Sequence, residues 1–398
     1  MRRRRKREVH LSNQLLRVGS IVSGGSALAR LEDGRVCLVA LAAPGELLEA
    51  RIEREHGDFV EAVVERVVDA SKDRVTPRCE YFGECGGCQL QHLDYPAQLI
   101  AKRSIVIEQL ERIGRFSNVQ VEPTVGMDSP WGYRNHVRFS TGRKFGDVGF
   151  VRRNGRGLMR IDACPIADGK VNGFLGEIQG KGRGLHQVQI RHGRQADSTL
   201  VYPRIEGVDF ATGQTAYRER LGGHDFAVSA SSFFQVNPEQ AEKLVNLVGE
   251  LLPDQGGLLV DAYAGVGTFA VIYADRFERV IAIEESATAI ADAEQNVAGR
   301  ANVEVVAGKV EHVLPEIASA PDVVILDPAR PGCAPPVLEA ILASKPSTVV
   351  YVSCNPSTLA RDLRVLVDGN YQLGPVTPLD MFPHTAHIEC VTRLSPRA

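Results

Sequence analysis

Three residues follow or flank apolar runs in a way that suits catalysis. Cys354 comes directly after the run STVVYVS, Asp327 comes after PDVVIL, and Glu389 lies in HTAHIECV near the end of the chain. A buried cysteine is ordinarily an inert small hydrophobe, and a glutamate on a late strand is ordinarily a solvated charge. At the ligand-binding edge of a parallel sheet, however, a thiol is a candidate nucleophile and a carboxylate a candidate general base.

A second set of residues has the spacing of an adenosine site. The run GGLLVDA leads into a turn with Gly265 and Gly267, where the backbone comes close to a ligand at the start of the following helix. Glu284 ends the next apolar run about 20 residues later, where a carboxylate accepts hydrogen bonds from ribose hydroxyls. The spacing fits NAD nearly as well, but DAYAGVGTF lacks the three-glycine GxGxxG signature. A solvated strand end is the alternative for Glu284.

Four of the eight cysteines form a pattern of their own. Cys79, Cys85 and Cys88 follow one another with five and then two intervening residues, and Cys164 stands in ACP far downstream. Clustered cysteines in a long chain without an export signal more often bind metal than form disulfides. From the spacing alone, zinc and an iron–sulfur cluster are equally good interpretations, because both accept four thiolates.

Composition limits the class of protein. The 398 residues are 44% hydrophobic, enough for two or three domains of roughly 150 residues each. No apolar run approaches the roughly 20 residues that span a bilayer, and no apolar stretch follows the basic start MRRRRKR. These features predict a cytoplasmic protein that does not enter the membrane.

Charge is distributed unevenly along the chain. Residues 1–225 carry 35 Lys and Arg against 28 Asp and Glu, whereas residues 226–398 carry 11 against 21. A basic surface attracts a phosphate backbone regardless of sequence, so we expect the first part to face an anionic polymer. Arg2 to Arg5 are a candidate arm that binds this polymer, and the alternative is a tail that only increases solubility.

The patterns along the chain divide it into three domains. Residues 9–70 show short β-runs separated by glycine turns, which predict a small β-barrel. Residues 71–92 and 122–225 predict a β-rich, basic central domain. Residues 93–121, with a helix over 95–113, and residues 226–398 predict a doubly wound α/β domain of buried parallel strands. Its first helix after residue 226 has Asn237 as cap, Pro238 in its first turn and Gln240 three residues after the cap.

The motifs resemble those of a known family. FFQVNPEQ, DAYAGVGTF, DPARPG, SCNP and HIEC occur in the order, and at about the spacing, of the RNA 5-methyluridine methyltransferases, and the likeness covers nearly the whole chain. It implies a Rossmann-like class I methyltransferase domain that uses S-adenosylmethionine. The residues implied to contact that cofactor, with Gly265 in its turn, are Gln235, Tyr263, Thr268, Glu284 and Asp327. One departure is Ala329, where the family usually has proline.

The same resemblance implies a covalent mechanism. Cys354 would add to C6 of uracil so that C5 becomes nucleophilic enough to take a methyl group, and Glu389 would then remove the C5 proton. A uracil in folded RNA must leave its stack to be reached, and Phe233, Phe234 and Phe382 are candidates to stack on it.

Two further segments resemble the branch of the family that modifies ribosomal RNA. GECGGCQLQHL is similar to its [4Fe-4S] motif, which implies Cys79, Cys85, Cys88 and Cys164 as cluster ligands with a structural or RNA-positioning role. Residues 9–70 resemble the OB-like TRAM domain, with turns at Gly19, Gly24, Gly25, Ala27, Pro44 and Gly45.

Together the two segments imply an RNA partner, 23S rRNA first and tRNA second. We expect the protein to act as a monomer. Two rival interpretations are a methyltransferase for a small molecule or protein, and an RNA-binding factor whose methyltransferase domain is vestigial.

Overall fold

A computed structural model describes residues 13–142 and 144–397. The predicted arm, Arg2 to Arg5, lies outside the described residues. Within these ranges the chain forms three sheets of five, five and seven strands and one two-stranded ribbon. None of the helices found there is long and apolar enough to cross a membrane.

The first sheet is built from short strands that bury one face. Along its fourth strand the buried residues Leu48, Ala50 and Ile52 alternate with more exposed ones, as expected for a sheet with one side against a core. The strands are β1 (Asn13–Arg17), β2 (Ala27–Arg30), β3 (Val36–Ala40), β4 (Leu47–Glu55) and β5 (Phe59–Asp69). Their order is β1-β4-β5-β3-β2, and only β3 and β5 pair in parallel.

Helix α1 (Tyr95–Arg112) follows the segment that carries three of the clustered cysteines. Asp94 caps it by accepting a hydrogen bond from the backbone N–H of Ala97 at 2.8 Å. The predicted helix over 95–113 is thereby confirmed to within one residue. Its buried side includes Lys102 as well as Ile105 and Leu110.

The second sheet is antiparallel throughout, in the order β10-β9-β6-β7-β8, and one helix covers it. Val171, Leu175 and Ile178 of that helix are fully buried. The elements are β6 (His136–Thr141), β7 (Val148–Val151), β8 (Leu158–Arg160), α2 (Gly169–Ile178), β9 (Gln187–Gly193) and β10 (Ser198–Tyr202). A ribbon of β11 (Ala216–Leu221) and β12 (His224–Ser229) leads to the third sheet.

The third sheet has the doubly wound architecture predicted from the apolar runs. Its elements are α3 (Pro238–Leu251), β13 (Gly256–Ala262), α4 (Thr268–Ile272), β14 (Phe277–Glu284), α5 (Ala287–Asn296), β15 (Val303–Ala307), α6 (Val310–Val313), β16 (Val323–Leu326), α7 (Pro335–Ser344), β17 (Thr348–Ser353), α8 (Pro356–Asp368), β18 (Tyr371–Leu379) and β19 (Glu389–Pro396). The strand order is β15-β14-β13-β16-β17-β19-β18. The five strands β13 to β17 pair in parallel, and β19 runs antiparallel to both of its neighbours.

Two local expectations need correction. Strand β15 was expected to be buried on both faces, but it lies at the edge of the sheet, and each of its five residues is at least partly exposed. Asn237 does cap α3 by accepting from the N–H of Gln240 at 3.3 Å. Gln240 does not complete a reciprocal capping box, because its side-chain amide donates to the carbonyl of Val125 instead.

The predicted α/β fold with sheet-rich segments before it is confirmed. The domain boundaries stay a prediction, as do the assignment of residues 9–70 to a TRAM barrel and of the central domain to an iron–sulfur module. Hereafter "central domain" means residues 71–92 and 122–225, and "first sheet" means β1 to β5.

Candidate active site

The glycine turn after β13 has the shape that the sequence suggests. Gly265 and Gly267 both have left-handed backbone conformations, with φ of 56° and 83°, and α4 begins at the half-buried Thr268. Asp261 lies beneath the turn and accepts a hydrogen bond from the N–H of Ala270 at 2.9 Å. Burial raises the pKa of Asp261 to about 8. Sequence reasoning gave this aspartate no role, although it opens the motif.

Glu284 closes the other side of the turn. One carboxylate oxygen accepts from the N–H of Gly265 and the other from the N–H of Ser286, both at 2.8 Å. A carboxylate has about four acceptor positions, so each oxygen keeps capacity for a ligand hydroxyl. Tyr263, between β13 and the turn, has a φ of 68°, which is uncommon for a residue with a side chain. These residues lie together at the carboxyl edge of β13 and β14.

Cys354 and Glu389 meet because β19 is antiparallel to β17. Ser353, the last residue of β17, pairs with Cys390. Glu389 precedes Cys390 and Cys354 follows Ser353, so each lies one residue beyond this last pair of the ladder, on neighbouring strands. Asp327, immediately after β16, lies at the same edge.

The three groups affect one another electrostatically. Burial raises the pKa of the Cys354 thiol to about 11, with further contributions from Glu389 and Asp327, whereas Arg330 opposes the shift. Burial raises the pKa of Asp327 to about 7. Glu389 is 4% exposed, and burial together with the charge of Asp327 holds its pKa well above the usual range of a carboxyl. Two carboxyl groups in this arrangement do not both ionise readily at neutral pH.

The loop that carries Arg330 is fixed by helix α8. Asn355 and Thr358 both donate side-chain hydrogen bonds to the carbonyl of Arg330, at 3.0 and 3.1 Å. Arg361 donates to the carbonyl of Pro331 at 2.9 Å. Ala329 itself is exposed. The conformation of this loop therefore rests on contacts with α8 and its cap rather than on residue 329.

The segment before Glu389 is anchored to α1 by groups that sequence reasoning missed. Lys102 and Asp380 form an ion pair at 2.5 Å in which both side chains are fully buried. Lys102 also donates to the carbonyl of Phe382 at 3.1 Å. The side chain of Gln98 contacts both the ring Nδ1 and the backbone N–H of His384. No local sequence signal joins residues that are 278 positions apart.

The aromatic candidates differ in their surroundings. Phe234 is 4% exposed and packs on Phe226, with ring centroids 5.6 Å apart, so it belongs to the core. Phe233 is 66% exposed, and Phe382 is half-buried. Gln235 is half-buried beside them.

Two contacts hold the segment that carries Gln235. The N–H of Asn135 donates to the carbonyl of Val236 at 3.0 Å, and the side-chain amide of Asn237 donates to the carbonyl of Met381 at 3.1 Å. Gln235 is thereby held next to the segment that leads to Glu389.

The four clustered cysteines line one cavity of about 210 Å³ in the central domain. Tyr81, Phe82, Phe150 and Ile161 form much of the remaining wall. Burial raises the pKa of Cys88 to about 12 and that of Cys164 to about 11, and neighbouring thiols contribute to both shifts. Within residues 13–142 and 144–397, however, no group of three or more His, Cys, Asp or Glu side chains is arranged to hold a metal ion. The predicted iron–sulfur site is therefore not confirmed.

The seven-stranded sheet, with a glycine turn and acidic strand ends along one edge, defines the class I methyltransferases. The family model described as tRNA (Uracil-5-)-methyltransferase matches residues 218–313 and 317–397. An uncharacterised RNA methyltransferase of Halalkalibacterium halodurans is 34% identical over 95% of both chains, and one of Gloeobacter violaceus is 35% identical over the same shares. The chain belongs to the RNA uracil-5-methyltransferase family.

A solved structure resembles the whole chain. It is the Pyrococcus abyssi tRNA (uracil-54, C5)-methyltransferase in complex with S-adenosyl-L-homocysteine, with a TM-score of 0.74 and 28% identity. The likeness covers 96% of this chain and all of that one, so it includes the first sheet and the central domain as well as the methyltransferase sheet.

Proposed function

We propose that this protein transfers a methyl group from S-adenosylmethionine to C5 of a uridine in structured RNA, with Cys354 as nucleophile and Glu389 as base. The observation that carries the proposal is that Cys354 and Glu389 each lie one residue beyond the last pair of the β17–β19 ladder, close enough for the charge of Glu389 to raise the pKa of the thiol. A methyltransferase for a small molecule or protein would have no use for that pair.

Cys354 acts first. Its thiolate adds to C6 of the uracil, which makes C5 an enolate-like carbon able to attack an electrophilic methyl group. Arg330 favours the thiolate, whereas Asp327 and Glu389 disfavour it while they are ionised. Protonation of one of the two carboxyls therefore helps the thiolate to form.

Glu389 acts last. After C5 has taken the methyl group, that carbon still carries its proton, and the carboxylate of Glu389 removes it. The electron pair of the C–H bond then forms the C5–C6 double bond, and the bond from C6 to Sγ of Cys354 breaks. The products are 5-methyluridine and S-adenosylhomocysteine, since the bond between the methyl group and the donor sulfur breaks when C5 takes the methyl group, and the thiolate is regenerated.

The cofactor residues fit an adenosine-containing methyl donor. When bound, S-adenosylmethionine supplies a methyl group activated by its sulfonium charge. We assign its ribose to Glu284, whose oxygens keep free acceptor positions beyond the two backbone hydrogen bonds. Gly265 lets the backbone approach the ligand, and the remaining cofactor contacts are assigned to Gln235, Tyr263, Thr268 and Asp327.

The substrate is assigned as 23S rRNA, with tRNA as the second candidate. The motif around Cys85 and Cys88 supports rRNA. The likeness to the Pyrococcus abyssi tRNA enzyme supports tRNA, because it extends over the first sheet and the central domain.

Methyl transfer to isolated RNA tests the proposal. Purified protein, tritiated S-adenosylmethionine and either 23S rRNA or bulk tRNA, prepared from a strain that lacks this gene, should yield labelled 5-methyluridine in 23S rRNA. Label confined to tRNA would show that tRNA is the substrate in place of 23S rRNA, and the proposed reaction would stand. Calorimetric binding of S-adenosylmethionine without label in either RNA would favour the small-molecule or protein rival. An absence of binding would favour the vestigial factor.

We propose a [4Fe-4S] cluster on Cys79, Cys85, Cys88 and Cys164. The donor set fits, since the walls of their shared cavity supply four thiols. Its volume is several times the roughly 30 Å³ of one water molecule, which favours a cluster of atoms over a single zinc ion. The cluster would hold the central domain together, and it takes no part in methyl transfer.

The remaining assignments concern the domains, the cellular location and the oligomeric state. The five-stranded order of the first sheet, with β3 parallel to β5, supports an OB-like TRAM barrel over residues 9–70. The other domains of the proposal are residues 71–92 with 122–225, and residues 93–121 with 226–398. We assign the protein to the cytoplasm as a monomer.

A further inference from the structure

The arginines of the first sheet are poorly placed to bind phosphate. Residues 13–70 carry six Arg and no Lys against ten Asp and Glu, although residues 1–225 as a whole are basic. Five of the six arginines lie within ion-pair distance of carboxylates; they are Arg17, Arg35, Arg51, Arg54 and Arg66. A cation already paired with a carboxylate gains less from a phosphate than an unpaired one, because it must first give up its partner.

The central domain has a second group of cations, whose surroundings differ from those of the carboxylate-paired arginines in the first sheet. Two glycine-rich loops meet at the far end of β6: the turn between β6 and β7, and the loop between α2 and β9. The N–H of Gly182 donates to the carbonyl of Gly146 at 3.0 Å. A Cβ on Gly146 would collide with the carbonyl of Gly180, so only glycine permits this approach. The two loops therefore form one surface.

That surface combines cations with an exposed ring. Lys144, Lys181 and Arg183 are exposed, and none of the three takes part in an ion pair among the described residues. Asp147, the nearest carboxylate in sequence, lies 3.6 Å from Arg160 instead. Phe145 is 71% exposed, the largest exposed fraction among the large hydrophobic residues of the described chain. The ammonium of Lys144 lies 5.1 Å from its ring centroid.

We propose that Lys144, Phe145, Lys181 and Arg183, the basic tip, bind a single-stranded segment of the substrate RNA away from the target uridine. The cations contact phosphates, and an unpaired base stacks on Phe145. Unpaired cations around an exposed aromatic ring are the combination that recognises single-stranded nucleic acid, because every base has a face for stacking and every nucleotide a phosphate. The inference rests on the proposed function, since it names a second contact for the same RNA.

The basic tip is distant from the reacting base. Asn135 contacts Val236, one residue from Gln235, and the six residues of β6 then lead away from that contact. At roughly 3.3 Å per strand residue, β6 places the tip about 20 Å from the cofactor segment. A contact at that distance strengthens RNA binding without taking part in methyl transfer. Its loss should therefore raise KM and leave kcat unchanged.

Binding of a fluorescein-labelled 20-nucleotide oligouridylate at several KCl concentrations tests the proposal. Changing Lys144, Lys181 and Arg183 to Gln together should reduce the slope of log K against log salt by about 2, at about 0.7 for each lost phosphate contact. Phe145→Ala should weaken binding about 5- to 100-fold at every salt concentration, whereas Phe145→Trp should retain it.

The matched control removes three cations from the first sheet. Arg17, Arg54 and Arg66 have side chains that are 61%, 64% and 62% exposed, and all three are paired with carboxylates. Their joint change to Gln should alter the salt slope by much less. Equal slopes for the two triple variants, or wild-type binding by Phe145→Ala, would overturn the proposal. Methyl transfer by the wild type to 23S rRNA or tRNA tests the proposed function separately. A failure of the basic-tip proposal is therefore distinguishable from a failure of the proposed function.

Discussion

Glu389 and Cys354 lie on neighbouring strands, each one residue beyond Cys390 and Ser353, the last pair of the β17–β19 ladder. Covalent methylation of uracil needs a nucleophile at C6 and a base at C5, which are neighbouring ring atoms. The charge of Glu389 contributes to the raised pKa of the Cys354 thiol, so the two groups are near neighbours at this edge of the sheet. The antiparallel direction of β19 therefore brings the two groups together.

Glu389→Gln should trap the intermediate. The amide cannot take the C5 proton, so the methylated adduct forms but does not resolve, and protein bound to ordinary uridine-containing RNA accumulates. The measurement is a denaturing gel of enzyme incubated with substrate RNA and S-adenosylmethionine. We expect a shifted band with Glu389→Gln and little with the wild type. Rapid release of 5-methyluridine by the variant would show that another group is the base.

Adduct formation should accelerate as pH rises. The pKa of Cys354 is raised to about 11, so its thiolate fraction grows about tenfold per pH unit through neutrality. With RNA containing 5-fluorouridine, the rate of adduct formation should rise steadily between about pH 6 and 9. Arg330→Gln should slow the reaction by a similar factor across this range, because Arg330 opposes the upward shift and both thiols titrate well above pH 9. A profile that is flat over this range in the wild type would contradict the assignment.

Lys102→Met should destabilise the protein by about 3–5 kcal/mol, because it leaves the fully buried carboxylate of Asp380 unpaired. The double variant Lys102→Met with Asp380→Leu should recover most of that loss, since no charge then remains buried. Urea unfolding measures both.

The exposed pair of Arg279 and Glu304, at 2.7 Å, provides the control. Arg279→Gln should cost less than about 1 kcal/mol. Equal costs for Lys102→Met and Arg279→Gln would show that the buried pair contributes little.

The sequence predicted the features of the fold and the site that depend on a local residue pattern, namely the buried strands and the glycine turn. Apolar runs located β13, β14, β16 and β17, and the family motifs located the turn at Gly265. Sequence reasoning did not find the pair of Lys102 and Asp380, because the fold alone brings α1 against the segment before Glu389. Nor did composition show which cations of residues 1–225 are free to bind phosphate, because cross-strand ion pairs between β4 and β5 occupy Arg51, Arg54 and Arg66.

The cysteine cavity should yield about four irons per chain in a brown anaerobic preparation, the content of one [4Fe-4S] cluster. Cys164→Ala should reduce the iron content and the absorbance in the visible range. Cys37→Ala is the matched control, because Cys37 is buried in the first sheet, and it should leave both unchanged. Stoichiometric zinc in place of iron would contradict the cluster assignment.

The most direct test of the account is to locate the protein–RNA bond. Wild-type protein should form a persistent adduct with substrate RNA containing 5-fluorouridine, because fluorine does not leave C5 as a proton does, and peptide mass spectrometry should place the nucleotide on Cys354. Cys354→Ser should form none while still binding S-adenosylmethionine in calorimetry. An adduct on any other residue, or methyl transfer that persists in Cys354→Ala, would contradict the central claim that the thiol at the end of β17 is the nucleophile.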